Sequence, residues 1–200
     1  LQPDNPDCYN SLGVVLKGQG RAEEAANYYR QALELRPDHP EVLNNLGNVL
    51  RQLGDLPGAI SAYQQALTLK PNYAEAHNNL GAALKDMGRL EEAISHYRAA
   101  LALKPDYPEA HHNLGSALQR QNRVAEAAAS YRQALALKPN YPEVCNSLGN
   151  LLQQQGSLTD AVMLHQQAIA LKPNFAEAHH SLANALLQQK NIEQAIAHYH

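Results

Sequence analysis

The sequence predicts an all-α protein built as an array of helix pairs, and three observations carry that prediction. Proline recurs as Pro3, Pro37, Pro71, Pro105, Pro139 and Pro173, always 34 residues apart. Leu12, Leu46, Leu80, Leu114, Leu148 and Leu182 keep the same step, as do Ala25, Ala59, Ala93, Ala127, Ala161 and Ala195. Inside each period the apolar residues fall three or four apart, the spacing of one helix face. A fixed period of this length describes a repeat array, which grows along an axis and has no single closed core. The units run 6–39, 40–73, 74–107, 108–141 and 142–175, with a partial unit at 176–200 and residues 1–5 as the tail of a preceding repeat.

Each element has its own punctuation. The first helix of a unit is expected over about 74–87 in the third period. Pro40, Pro108 and Pro142 stand at its start in their units, where a missing N–H costs nothing. Asp7, Glu41, Glu75, Glu109, Glu143 and Glu177 follow at once and face the positive end of the helix dipole. Gly20, Gly54, Gly88 and Gly156 stop this helix, as left-handed caps do. Asn122 is the usual second choice at that place, and Lys190 fits it worse. The second helix is expected over about 90–104. It ends before Pro105, because the residue ahead of a proline is pushed out of the helical region. Gly81 and Ala93 are small where their neighbours are large, so the two helices should cross closely there, with Tyr97 filling the space beside them. His165 replaces that tyrosine in the fifth unit, and a looser joint is expected at that point.

Composition narrows the function classes. Sixteen Lys and Arg against nineteen Asp and Glu give a net charge of −3, evenly spread, which does not suit nucleic acid or a membrane surface. No apolar run approaches the ~18 residues of a membrane span. Cys8 and Cys145 lie about four periods apart and read as free thiols, which fits a reducing, cytoplasmic compartment. The chain opens on Leu1-Gln-Pro, the tail of a repeat, and reads as part of a longer protein.

Chemistry-bearing motifs are absent. There is no nucleophile elbow, no phosphate-binding glycine loop and no H-E-x-x-H or C-x-x-C spacing, so no catalytic residue, cofactor or native metal is expected. The adjacent pairs His111-His112 and His179-His180 point to different helix faces. The slot of His77, His111 and His179 reads as a packing slot, and His198 and His200 as adventitious scavengers at most. Pairs such as Glu91-Glu92 open second helices, where the dipole accounts for them.

His77, Leu80-Gly81, Leu84, Ala93, Tyr97 and Pro105 resemble the tetratricopeptide repeat, and the likeness runs through the whole chain. The chain departs from that pattern in having no Trp and in placing Leu at the first aromatic position. The resemblance implies a right-handed superhelical solenoid of antiparallel helix pairs, with first helices lining a concave groove that binds proteins or peptides. The segments NNLGNVL, HNNLGAAL, HHNLGSAL and CNSLGNLL are similar to the repeat segment of the O-linked N-acetylglucosamine transferases and bacterial relatives. There, an Asn ladder holds client chains; its positions here are Asn45, Asn79 and Asn113, with Ser11, Ser147 and Ser181 in the other units.

Asn is a mediocre helix former, so its repeated use inside helices calls for a reason. In the second unit Glu41, Asn44, Asn45, Asn48, Arg51 and Gln52 are expected on one side, opposite Leu43, Leu46, Leu50 and Leu53. Glu75, Asn78, Asn79, Lys85 and Asp86 do the same in the third. The candidate peptide-binding residues are Asn44, Asn45, Asn48, Asn78, Asn79, Asn113, Asn146, Asn150 and Asn184. Amides that both donate and accept suit a peptide backbone; the plain alternative is a crowded face where small polar residues fit. Only Lys17, Arg51 and Lys85 approach the groove, too few and too late in their helices for a clamp on an acidic chaperone tail. Two other classes compete with a recognition module: a self-assembling scaffold and the substrate-recruiting arm of a longer glycosyltransferase. For the first, Leu182, Leu186, Ile192 and Ile196 are expected uncovered, with fraying or end-to-end association over 190–200.

Overall fold

The computed structural model describes residues 5–197, which form twelve α-helices and no strand. The chain divides into two compact units, Leu1–Pro105 and Asp106–His200. The first holds α1 (Pro6–Gly18), α2 (Ala22–Leu35), α3 (Pro40–Gln52), α4 (Leu56–Leu69), α5 (Ala74–Asp86) and α6 (Leu90–Leu103). The second holds α7 (Pro108–Arg120), α8 (Val124–Leu137), α9 (Pro142–Gln154), α10 (Leu158–Leu171), α11 (Ala176–Gln188) and α12 (Ile192–Ala197). Within each unit a helix packs on its neighbours in sequence, and each first helix also meets the next first helix: α1 with α3, α3 with α5, α7 with α9 and α9 with α11. The first helices therefore share a face in each unit.

Local chemistry sets the helix bounds. Pro6, Pro40, Pro108 and Pro142 open their helices. The Asn5 side chain accepts from the Asp7 N–H (2.9 Å) and the Asp55 side chain from the Gly58 N–H (2.9 Å), filling donors that a helix start leaves orphaned. Gly20, Gly54, Gly88 and Gly156 end the first helices at φ +78° to +83°, while Asn122 and Lys190 adopt φ +59° and +63° without the freedom of glycine. Each cap closes the same way: after Gly88, the Arg89 N–H reaches back to the Leu84 carbonyl at 2.9 Å.

The core is a file of one aromatic and one small residue per period. Tyr29, Tyr63, Tyr97, Tyr131 and His165 are all buried. Each lies against the glycine of the preceding first helix. A Cβ on Gly81 would stand 2.8 Å from Tyr97 Cε1, and one on Gly149 would stand 2.6 Å from His165 Cε1. His165 thus takes the tyrosine's place, and the expected looseness is corrected to a tight joint. Two further expectations change. Leu182 (1% exposed) and Leu186 (2%) are buried with Ala195, packed by Val162 and Ile169 of α10, so the last period is covered from both sides. Ile192 and Ile196 do lie exposed. Leu53 and Met87 are also exposed, because each is the cap residue of its helix. Residues 198–200, with His198 and His200, lie outside the described residues.

Outside this core, repeated ion pairs join the end of a period's second helix to the start of its own first helix. Lys70 reaches Glu41 (2.7 Å), Lys172 reaches Glu143 (3.4 Å) and Lys138 reaches Glu109 (3.5 Å), each lysine also lying over the ring of Tyr73, Phe175 or Tyr141. These lysines cap second helices and are about half exposed, so each pair contributes at most about 1 kcal/mol.

Candidate amide face of the first helices

Two successive registers of the first helices carry most of the asparagines, and the first unit ties them to each other. The Asn45 Nδ2 donates to Asn10 Oδ1 (3.2 Å), and the Asn79 Nδ2 donates to Asn44 Oδ1 (3.0 Å). Asn44 and Asn78 (each 6% exposed) are buried, which corrects the expectation that they share a side with the open polar residues, and Asn146 (8%) is buried in the same register. Asn45, Asn79 and Asn113 are half-buried. The ladder in the first unit is thus a seam between repeats, and its donors are partly spent inside the protein.

A third register decides whether the core tyrosines are satisfied. Tyr63 Oη donates to Asn48 Oδ1 at 2.8 Å. Tyr131 Oη donates to Gln119 Oε1 at 2.9 Å, one turn further along α7. Tyr29 Oη and Tyr97 Oη find no partner, because Val14 and Ala82 stand where α3 carries Asn48. Burial pushes the Tyr131 hydroxyl up to about 12 and raises those of Tyr29, Tyr63 and Tyr97.

In the second unit the seam changes chemistry. Ser147 Oγ donates to the Glu143 carbonyl (2.9 Å), and His112 Nε2 lies 3.3 Å from that oxygen, so the His112 proton sits on Nε2. His165 Nδ1 lies 2.9 Å from Asn146 Oδ1, which assigns the proton to Nδ1 and leaves Nε2 bare and without a partner. Burial alone pushes the His165 pKa down to about 4.

The histidine slot has a role that the sequence pattern does not reveal. His77 Nε2 donates to the Pro71 carbonyl (3.1 Å), and His179 Nε2 to the Pro173 carbonyl (2.8 Å). Each imidazole pins the turn before its own helix. His77 also stacks on His96, with the two Nδ1 atoms 3.0 Å apart. Since His77 donates from Nε2, the His96 Nδ1–H must donate to His77 Nδ1. Burial, then His77, holds the His96 pKa below its usual value. Among the described residues no three His, Cys, Asp or Glu side chains come together as metal ligands would.

Charge separates the two units. In the first, Arg51 Nε donates to Asp86 Oδ2 at 2.9 Å between α3 and α5, so that cation is already neutralised. In the second, Gln119 of α7, Asn150, Gln153 and Gln154 of α9 and Gln188 of α11 line an open cavity of about 360 Å³. Of these only Asn150 was a sequence candidate. Its neighbour Asn184 is half-buried one repeat on. The glutamines were missed, although the replacement of Lys17, Arg51 and Lys85 by Gln119 and Gln153 in the same register is visible in the sequence. Both cysteines are free, Cys145 buried and Cys8 partly so.

Helix pairs on a 34-residue period, a glycine-stopped first helix and an aromatic wedged on the glycine of its partner define a tetratricopeptide repeat protein. The chain belongs to the family described as the cilia and flagella-associated protein 70 C-terminal domain, whose model matches residues 5–200. No protein of curated function matches the sequence. Among solved structures it is similar to TTC0263, a thermophilic TPR protein of Thermus thermophilus, at 27% identity and TM-score 0.74, over 91% of this chain and 99% of that one. PilF of Pseudomonas aeruginosa is similar at 23% identity and TM-score 0.87, over 96% and 88% of the two chains. YrrB, described as a TPR protein with an unusual peptide-binding site, is similar at 22% identity and TM-score 0.69, over 86% and 89%. No helix among the described residues is long and apolar enough to cross a membrane.

Proposed function

We propose that this protein is a non-catalytic recognition module that binds an extended segment of another protein along the amide-bearing face of its first helices. The observation that carries the reading is the amide-lined cavity of the second unit, where neutral donors and acceptors from three first helices converge. An extended backbone offers one donor and one acceptor per residue, which such amides match. The peptide-binding site described for the structurally similar YrrB supports the class of ligand. Asn113, Asn150 and Asn184 are the sequence candidates we place in the contact of the second unit, and Asn48 is the counterpart we place in that of the first. Asn44, Asn78 and Asn146 act as buried spacers, and Asn45 and Asn79 chiefly hold the seam. The test is an amide-resolved NMR titration with a set of unstructured peptides. Shifts confined to α3, α7, α9 and α11 are expected, whereas shifts confined to the second helices would refute the assignment.

A second reading, association between copies, is favoured by apolar surface on α1 and α12. Val15 is 55% exposed beside Leu12 and Cys8, and Ile192 and Ile196 are 60% and 53% exposed. Light scattering over a wide concentration range tests it, and a strict monomer throughout would remove it.

A further inference from the structure

We propose that the second unit selects uncharged partners: its cavity of Gln119, Asn150, Gln153, Gln154 and Gln188 binds an extended Gln-, Asn- and Ser-rich segment through backbone and side-chain amides. The inference rests on the recognition reading above and adds the chemical class of the partner.

The cavity is built almost entirely from primary amides. Gln119 is oriented from beneath, because the buried Tyr131 hydroxyl occupies its Oε1 and leaves its two N–H groups to point elsewhere. Among the described residues, the side chains of Asn150, Gln153, Gln154 and Gln188 make no hydrogen bond within the protein. That contrasts with the first unit, where Asn45, Asn79 and Asn48 are engaged with other residues of the fold. No Asp, Glu, Lys or Arg follows Glu143 in α9 or Glu177 in α11. Arg120, at the edge of α7 and exposed, is the nearest charged residue in the register of Gln154 and Gln188. A carboxylate or ammonium entering this site would shed water and meet no counter-charge among the five residues that line it. An amide or hydroxyl side chain would exchange water for matched partners. The cavity lies near the C-terminal ends of its helices, whose weak negative field disfavours acidic segments further and offsets only part of the desolvation cost of an ammonium group.

Three labelled peptides of equal length, one of Gln, Asn and Ser, one with Glu interspersed and one with Lys interspersed, are titrated into the full chain by fluorescence anisotropy. The uncharged peptide should bind in preference, with an affinity changed less than about twofold between low and high salt. Gln153→Ala, Gln154→Ala and Gln188→Ala together should weaken it by roughly tenfold or more, with circular dichroism unchanged. A second variant, Gln153→Lys, should gain binding of the Glu peptide and acquire salt dependence. Preference for a charged peptide by the unaltered chain, or wild-type affinity in the triple variant, overturns the uncharged-partner inference and leaves the recognition reading standing. Binding of none of the three peptides overturns both.

Discussion

Tyr29, Tyr63, Tyr97 and Tyr131 occupy one register and bury the same ring, yet their hydroxyls have different fates. Tyr63 and Tyr131 donate to Asn48 and Gln119, whereas Tyr29 and Tyr97 are left bare by Val14 and Ala82. Removing a satisfied hydroxyl strands its acceptor, while removing an unsatisfied one relieves a desolvation cost. Tyr63→Phe should therefore destabilise by about 1 kcal/mol, and Tyr97→Phe should be neutral or stabilising; urea titrations of both variants check the contrast. His165 yields a pH prediction. Its pKa in the fold, about 4, lies below the ordinary 6.5, so the unfolded chain takes up the proton first as pH falls. The stabilisation is complete above about pH 6.5, declines through pH 4 and then levels, with a full loss of roughly 3 kcal/mol. The stability difference between wild type and His165→Tyr, followed from pH 7 to 3.5, should change over that interval; a flat difference would contradict it. The sequence showed that an aromatic was missing at His165, but not that Asn146 and Gly149 would hold the imidazole in its place, because that depends on contacts between helices.

At the level of the helix, starts and stops were legible because they depend on residues next to one another. Pro at the first position and glycine past the last set the bounds of α3 and α9, and α5, expected over about 74–87, runs Ala74–Asp86. Which face each helix buries was read less well. Asn44 and Asn78 are buried although polar, since α3 meets α5 and α2 as well as its partner α4, and α5 meets α3 and α4 as well as its partner α6. Leu182 and Leu186 are buried although the array was expected to leave them open, since α10 and the short α12 cover them. Lys190 is the weakest stop, holding φ +63° with a side chain that has to tolerate the left-handed region. Lys190→Gly should stabilise the end of α11 by about 1 kcal/mol. Slower amide exchange across α11 and α12 together with a higher Tm is the expected result, and an unchanged or lower Tm would count against the strain at that residue.

Across the molecule, each helix leans only on near neighbours in sequence, so stability is expected to accumulate period by period. The period itself was legible from Pro, Leu and Ala alone. The division at Pro105 into two compact units, and the glutamine-lined cavity of the second, were not, since the first depends on contacts between helices and the second brings together side chains of three successive periods. The seam of the first unit makes a sharp test of period-by-period construction. Deleting residues 40–73 removes α3 and α4 and brings α5 against α2. Asn79 then takes the register of Asn45, and its Nδ2 meets Asn10 Oδ1 in place of Asn44 Oδ1, so the seam is remade with no donor stranded. Deleting residues 40–55 alone places α4 after α2, two second helices in succession, and strands both the Asn10 acceptor and the apolar face of α2. The in-phase deletion should keep its helix content per residue and unfold cooperatively at a somewhat lower Tm, because one interface is gone. The out-of-phase deletion should lose cooperativity or aggregate. Circular dichroism melts of the two variants decide the matter: equal disruption by both would mean that the first unit folds as one indivisible core rather than as stacked periods.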